Sequence, residues 1–139
     1  MLFSIHADGG ARGNPGPSGA GAVIRDELGN AVASVSRYLG RCTNNFAEYE
    51  AAILAFDALL GFVPKNELAR TDVAVKMDSE LVVKQVRGEF KVKHPLLQKQ
   101  RTRLAERISS FRSVVFTHVP RAENSDADAL ANAAMDRGA

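Results

Sequence analysis

Asp72-Val73-Ala74-Val75-Lys76-Met77-Asp78-Ser79-Glu80 is the stretch whose reading decides the fold. Val73, Val75 and Met77 alternate with Asp72, Ala74 and Lys76, the two-residue period of a strand with one buried face. The strand predicted over Asp72–Asp78 ends on a carboxylate, and Ser79 to about Arg87 reads as a short helix. Upstream, Asn45 to about Gly61 reads as a helix. Its interior, Ala51 to Leu60, is apolar apart from Asp57, so it is expected to be heavily buried. That helix is the crossover into the strand, and from here the chain alternates β and α.

Working outward, Phe3–Ala7, Gly19–Arg25 and Ala31–Leu39 read as three strands, with a turn at Glu27-Leu28-Gly29-Asn30. Short connections make them an antiparallel meander. Gly9 to Ser18 is predicted to be irregular, being rich in Gly and Pro. On the other side, Pro95 suits the first turn of a helix reaching Ser110. Ser113–Val119 reads as a strand and Ser125 to about Arg137 as a final helix. The order β-β-β-α-β-α-α-β-α predicts an α/β fold with one mixed sheet and helices packed on it. The 139 residues suit a single domain over residues 1–139.

Apolar residues make up 45% and charged residues 24%, ordinary for a soluble globular protein. Cys42 is the one cysteine, so no internal disulfide forms. No apolar run reaches the roughly 20 residues of a membrane helix. The apolar start Met1–Ala7 has no basic leader, so a cytoplasmic location is expected. Net charge is +2 but uneven. Lys84, Arg87, Lys91, Lys93, Lys99, Arg101, Arg103 and Arg107 stand against only Glu89 and Glu106, which leaves the rest of the chain acidic. An acidic part beside a basic part suits a metal site next to a phosphate track, although a solvated basic helix face explains the basic run equally simply.

Four carboxylates fall at element ends: Asp8 and Asp78 at strand ends, Glu48 and Asp128 in the first turns of helices. Each has a plain structural explanation. Asp8-Gly9 can be a turn, Asp78 a helix cap, and Asn45-x-x-Glu48 and Ser125-x-x-Asp128 capping boxes or acidic relatives of one. Together they read differently. If the first and fourth strands are parallel neighbours, Asp8 and Asp78 emerge at one sheet edge, where ligands of α/β sheets commonly sit. Carboxylates gathered there repel by about 4 kcal/mol per pair at 4 Å and an effective dielectric near 20. Divalent cations remove that cost, and hard oxygen ligands favour magnesium or manganese over zinc.

The chain resembles type 1 ribonuclease H from end to end. The resemblance rests on Asp8-Gly-Gly-Ala-Arg-Gly-Asn-Pro-Gly-Pro-Ser-Gly-Ala-Gly21, Thr43-Asn-Asn-Phe-Ala-Glu48-Tyr-Glu-Ala, Met77-Asp78-Ser-Glu-Leu-Val-Val, and Val119-Pro-Arg-Ala-Glu-Asn124-Ser-Asp-Ala-Asp128-Ala-Leu-Ala. It implies a ribonuclease H-like five-stranded mixed sheet, order 3-2-1-4-5, with helices on both faces. It also implies hydrolysis of the RNA strand of an RNA/DNA hybrid, with two Mg2+ ions, or Mn2+ in their place, held by Asp8, Glu48, Asp78 and Asp128. Asp126 is a rival for the last place; Asp128 is preferred because it stands four residues after Asn124 and just before Ala-Leu-Ala. Asn14, Thr43, Asn44 and Asn45, with Arg12, look like hybrid contacts, though Asn44 and Asn45 can also be simple helix caps. A protein acting as a monomer, with no membrane or obligate protein partner, is expected.

Three departures from the family stand out. No Trp-containing basic protrusion follows Asp78, and Lys91 and Lys93 flank its expected position. No separate hybrid-binding module is expected. Where many relatives carry a loop histidine, Arg121 stands here, and it is taken as the catalytic group. His118, in the strand pattern with Phe116 and Val114, is expected to pack in or under the sheet. Two other functions remain: another two-metal nuclease on the same fold, such as a transposase, integrase or junction-resolving core, and a non-catalytic nucleic-acid-binding module.

Overall fold

The structure is a computed structural model that describes all 139 residues. The alternating stretch becomes β4 (Asp72–Met77), with Val73, Val75 and Met77 buried. It lies parallel between β1 (Leu2–Ala11) and β5 (Ser113–His118), while β2 (Gly16–Arg25) and β3 (Ala31–Cys42) complete an antiparallel meander. The five strands form one sheet in the order β3-β2-β1-β4-β5, as the resemblance implies.

Between the strands run α1 (Asn44–Phe62), α2 (Glu80–Val86) and α3 (Pro95–Ile108), and α4 (Ser125–Arg137) ends the chain. One face of the sheet carries α1, itself backed by α3; α4 covers the other face over β1, β2 and β3. The run Ala51–Phe56 of α1 is buried throughout because the helix is enclosed between sheet and α3. Phe56 meets Phe111 and Phe116 at ring centroid distances of 5.7 and 6.4 Å. The main core gathers 24 buried residues around it. No helix is long and apolar enough to cross a membrane.

The Gly9–Ser18 segment is not the irregular loop expected from its composition. β1 continues to Ala11 and β2 begins at Gly16, paired as Asp8↔Gly21, Gly9↔Ala20, Gly10↔Gly19 and Ala11↔Ser18. Only residues Arg12 to Pro15 turn, closed by the Arg12 N–H donating to the Pro17 carbonyl at 2.8 Å. Gly13, with a left-handed φ of 90°, and Gly16, whose added Cβ would meet the Arg12 carbonyl, serve the turn, while Gly9 and, beyond the segment, Gly21 serve helix contact. A Cβ on Gly9 would stand 2.2 Å from the Ala47 carbonyl carbon and oxygen in α1; one on Gly21 would stand 2.3 Å from the Ala127 carbonyl oxygen in α4.

β3 is likewise longer than expected and carries two bulges, one at Val32, skipped between Arg25↔Ala31 and Ile24↔Ala33, and one near its end. Ser18 pairs with Gly40 but Gly19 pairs with Tyr38, so Leu39 is the extra residue, and Gly40 takes a left-handed φ of 73°. A short 3-10 segment over Lys65–Arg70, which the sequence pattern does not signal, leads into β4.

Two alanine substitutions separate glycines by their surroundings. Gly21→Ala drives its Cβ into α4 backbone and is expected to destabilise by about 1–3 kcal/mol or more. Gly61→Ala, inside α1 with nothing within 4 Å of the added Cβ, should instead stabilise by about 0.5–1 kcal/mol. Urea unfolding followed by circular dichroism measures both; equal effects at the two positions would contradict the packing described.

Candidate active site

The parallel pairing of β1 with β4 ends at His6↔Lys76. Asp8 and Asp78 each lie two residues further on. Asp8 therefore does not close its strand, as the sequence pattern predicts; it lies beyond the end of the β4 pairing while still paired to Gly21 of β2. That pairing puts Asp8 on the α4 side of the sheet, where Gly21 admits the helix that carries Asp128.

Glu48 comes from the opposite layer. The N-cap of α1 is Thr43, whose hydroxyl accepts from the Phe46 N–H at 3.2 Å. Glu48 thus sits in the second turn, not the first, and makes no capping box with Asn45. Gly9 lets this turn press against β1, because Glu48 N would be only 2.5 Å from a Cβ there. The result is one cavity of about 320 Å³ lined by Asp8, Glu48, Asp78 and Asp128, with Arg12, Asn44, Arg121 and Asn132 around them.

Neighbouring polar groups hold these carboxylates. Ser79 Oγ donates to Glu48 Oε2 at 2.6 Å and accepts from Val82 N–H, so one hydroxyl both caps α2 and orients Glu48. Ser79, not Asp78, is that cap, which leaves Asp78 to the cavity. Asn124, 1% exposed, donates from Nδ2 to Asp78 Oδ1 and to the Ala7 carbonyl, both at 2.9 Å. Sequence reasoning singles out neither Ser79 nor Asn124 as a site residue; both stand inside the quoted motifs, beside or four residues before a carboxylate.

Burial pushes the Asp8 carboxyl up to about 8, helped by the charge of Asp78 and by the Asp128 carboxyl within hydrogen-bonding reach. Burial also raises Glu48 to about 7, against the opposing Ser79 hydrogen bond and with Asp78 adding to the rise. No three of these side chains converge as a closed metal cage in this arrangement. The donor chemistry nonetheless fits a hard divalent cation: clustered, half-buried oxygen donors, with the ionisation of Asp8 and Glu48 opposed by burial and by the neighbouring Asp78.

Arg121 lines the same cavity and places Nη2 3.5 Å from Asp128 Oδ1, with its side chain 78% exposed. Asp126 turns away and pairs with Arg25 at 2.6 Å. His118 departs from its expected place. At the last position of β5 it is exposed. The strand ends there, and His118 stands exposed at its end rather than packed in or under the sheet.

The expected substrate residues fall beside this cavity. Asn44 Oδ1 accepts from Ala11 N–H at 2.8 Å, and Asn14 Oδ1 from Asn44 N–H at 3.1 Å, tying the β1–β2 turn to the start of α1. Asn14, Thr43 and Asn45 line a second cavity of about 640 Å³ together with Arg41 and His94. Sequence reasoning misses Arg41; its signal is a cation two residues before the capping Thr43. Arg12 pairs with Asp136 at 2.6 Å at the edge of the first cavity. The basic run from Lys84 to Arg107 is less free than its composition implies. Lys84, Arg87, Arg103 and Arg107 pair with Glu80, Glu89, Glu50 and Asp57. Lys91 and Lys93 are exposed, in the segment between α2 and α3.

The sequence profile of the family described as Reverse transcriptase-like matches residues 6–134. The bifunctional protein Rv2228c of Mycobacterium tuberculosis is 46% identical over 140 residues, across all of this chain and 37% of its own length. This chain therefore spans little more than a third of that relative. The solved N-terminal RNase H domain of the same protein, fused to maltose-binding protein, superposes with a TM-score of 0.90 at 43% identity, covering 98% of this chain and all of that one. LC11-RNase H1, solved in complex with an RNA/DNA hybrid, superposes with a TM-score of 0.90 at 46% identity over 97% of each chain.

The raised carboxyls set a pH dependence for the metal-free protein. Asp8 and Glu48 bind protons more tightly folded than unfolded, where their values lie near 4. Their contribution to stability is complete below about pH 4 and is lost as pH rises through about 7 and 8. In EDTA the melting temperature should fall between pH 5 and pH 9. Asp8→Asn should flatten that fall, and magnesium should raise the melting temperature most at the alkaline end. Differential scanning fluorimetry reads all three; an EDTA profile that rises with pH and ignores Asp8→Asn would contradict the clustering.

Proposed function

Because this chain belongs to the ribonuclease H family, we propose that it is an endonuclease that hydrolyses the RNA strand of RNA/DNA hybrids. Asp8, Glu48, Asp78 and Asp128 would hold two magnesium ions, for which manganese could substitute. The observation that carries this reading is the set of four carboxylates, each from a different part of the chain, around one cavity at the carboxyl end of the parallel strands. The solved hybrid complex of LC11-RNase H1 supports the substrate class.

Two divalent ions bound there would supply a water of lowered pKa as nucleophile and positive charge for the departing oxygen. The protein's own groups set the geometry. Ser79 holds Glu48 and Asn124 holds Asp78, so two of the four ligands are aimed before substrate arrives. The water's oxygen adds to the scissile phosphorus and the P–O3′ bond breaks, leaving a 3′-hydroxyl and a 5′-phosphate. Arg121 lies on the open side of the cavity, where its permanent charge can hold the scissile phosphate. Arg12, Asn14, Thr43, Asn44, Asn45, Lys91 and Lys93 contact the hybrid: amides read base edges and 2′-hydroxyls, and the cations meet phosphates.

Cleavage of RNA/DNA, RNA/RNA and DNA/DNA duplexes, with magnesium and with EDTA, tests this reading. Only the hybrid with magnesium should be cut. Asp8→Asn and Asp78→Asn should abolish cutting while the protein stays folded by circular dichroism. Near-normal turnover in either variant would remove that residue from the site, and a preference for DNA/DNA would favour another nuclease of the same fold.

Arg121 and His118 separate in a second experiment. Arg121→Ala should lower kcat far more than it raises KM, and Arg121→Lys should recover part of the loss. His118, exposed at the strand end, should tolerate alanine with less than about 0.5 kcal/mol change in stability and near-normal kcat. The reverse pattern, with turnover lost in His118→Ala, would make the histidine the catalytic group.

A further inference from the structure

Between α2 and α3 the chain carries Lys91 and Lys93 on a segment with no regular structure. At its root Gly88 takes a left-handed φ of 80°, and Glu89 and Phe90 N–H groups donate to the Lys84 carbonyl at 2.8 and 3.2 Å. On its far side Gln98 Nε2 donates to the Val92 carbonyl at 2.9 Å. Both of these ties are exposed or local. A third is neither: Gln85, 4% exposed, donates from Nε2 to the Lys91 carbonyl at 3.3 Å and accepts on Oε1 from Tyr49 Oη at 2.6 Å.

Tyr49 is fully buried in α1 and is the residue after Glu48. The donor and acceptor of the Gln85 amide are both engaged, which fixes which way round it lies. A buried glutamine is uncommon, and a leucine would fill this volume without needing partners. A fully satisfied buried polar chain instead selects one geometry. This chain leads from the helix bearing Glu48 to the main chain bearing Lys91.

We infer that Gln85 is a positioning residue: through Tyr49 it locks the Lys91–Lys93 segment to α1, so that the lysines meet substrate phosphates in register with Glu48. The inference rests on the reading of the chain as a hybrid nuclease and of these lysines as phosphate contacts. Gln85 itself touches no reacting atom.

The test uses the full chain with magnesium and a short RNA/DNA hybrid, and compares Gln85→Leu, Tyr49→Phe, the pair Lys91→Ala with Lys93→Ala, and the pair combined with Gln85→Leu. Gln85→Leu removes both hydrogen bonds of the amide; losing the one to the Lys91 carbonyl should raise KM about three- to ten-fold, with kcat little changed. The log–log salt slope should fall toward that of the lysine pair, by roughly 0.7 to 0.9 for each phosphate that the protein no longer neutralises. Amides 88–93 should exchange hydrogen faster while the core of α1 does not. In the lysine-pair background Gln85→Leu should raise KM no further. Tyr49→Phe, a smaller change, should move the same quantities in the same direction. Unchanged KM in both single variants, unchanged exchange in the segment, or additive effects with the lysine pair would each overturn the inference. If the lysine pair raises KM and Gln85→Leu does not, the inference alone falls. If the lysine pair leaves KM and salt slope untouched, the phosphate reading of the lysines fails first and takes the inference with it.

Discussion

A missing side chain at Gly9 is the constraint on which this structure turns. The first turns of α1 lie so close to β1 that any Cβ there would overlap the Ala47 carbonyl. Gly21 does the same for α4 on the other face. The two residues are near neighbours in the β1–β2 ladder, so two helices reach one place on the sheet from opposite sides. Glu48 and Asp128 ride on those helices. Close packing is therefore how groups far apart in sequence come to share a cavity with Asp8, itself flanked by Gly9 and paired with Gly21.

Burial in that cavity, with the carboxylates close to one another, opposes stability. Asp8 is raised to about 8 and Glu48 to about 7, so ionising both at neutral pH works against the folded state. The surroundings offset part of this with directed donors, Ser79 to Glu48 and Asn124 to Asp78, and with the nearby cation Arg121 on Asp128. None of the three neutralises Asp8, which keeps the highest value. A well-packed frame carrying an unfavourable charge cluster is the arrangement expected where function, rather than stability, selects the residues.

Much of the fold was legible in the sequence because its signals are local. The alternation in β4, the apolar length of α1 and Pro95 at the start of α3 each report their own element. The Gly9–Ser18 stretch misled because glycine has two uses: it suits irregular loops, and it lets a neighbouring backbone approach. Only the tertiary partner distinguishes them. The same limit applies to the site. The four carboxylates could be named from motifs, but Ser79 and Asn124 orient them through bonds that span 31 and 46 residues of sequence. His118 was misread because the two-residue period gives a side chain's face without saying whether any layer covers that face. The charge run from Lys84 to Arg107 misled for a similar reason: half of it is met by carboxylates, two of them in α1, far upstream.

The bulge at Leu39 is a phase shifter. A strand repeats every two residues, so one extra residue exchanges the two faces for everything downstream. What lies downstream is short and consequential: Arg41, on the wall of the second cavity, and Thr43, the cap of α1. β3 is an edge strand with one side free, a position that ordinarily tolerates change. Substituting an outward residue of β3 leaves the phase intact. Deleting Leu39 removes the extra residue: Tyr38 and Gly40 become consecutive while each keeps its partner, Gly19 and Ser18, so Arg41 stays opposite Pro17 and the alternation runs through unbroken. The bulge thus absorbs one residue of chain, so the strand ahead of Leu39 and the lead into the helix that carries Glu48 each keep their own pairing with β2.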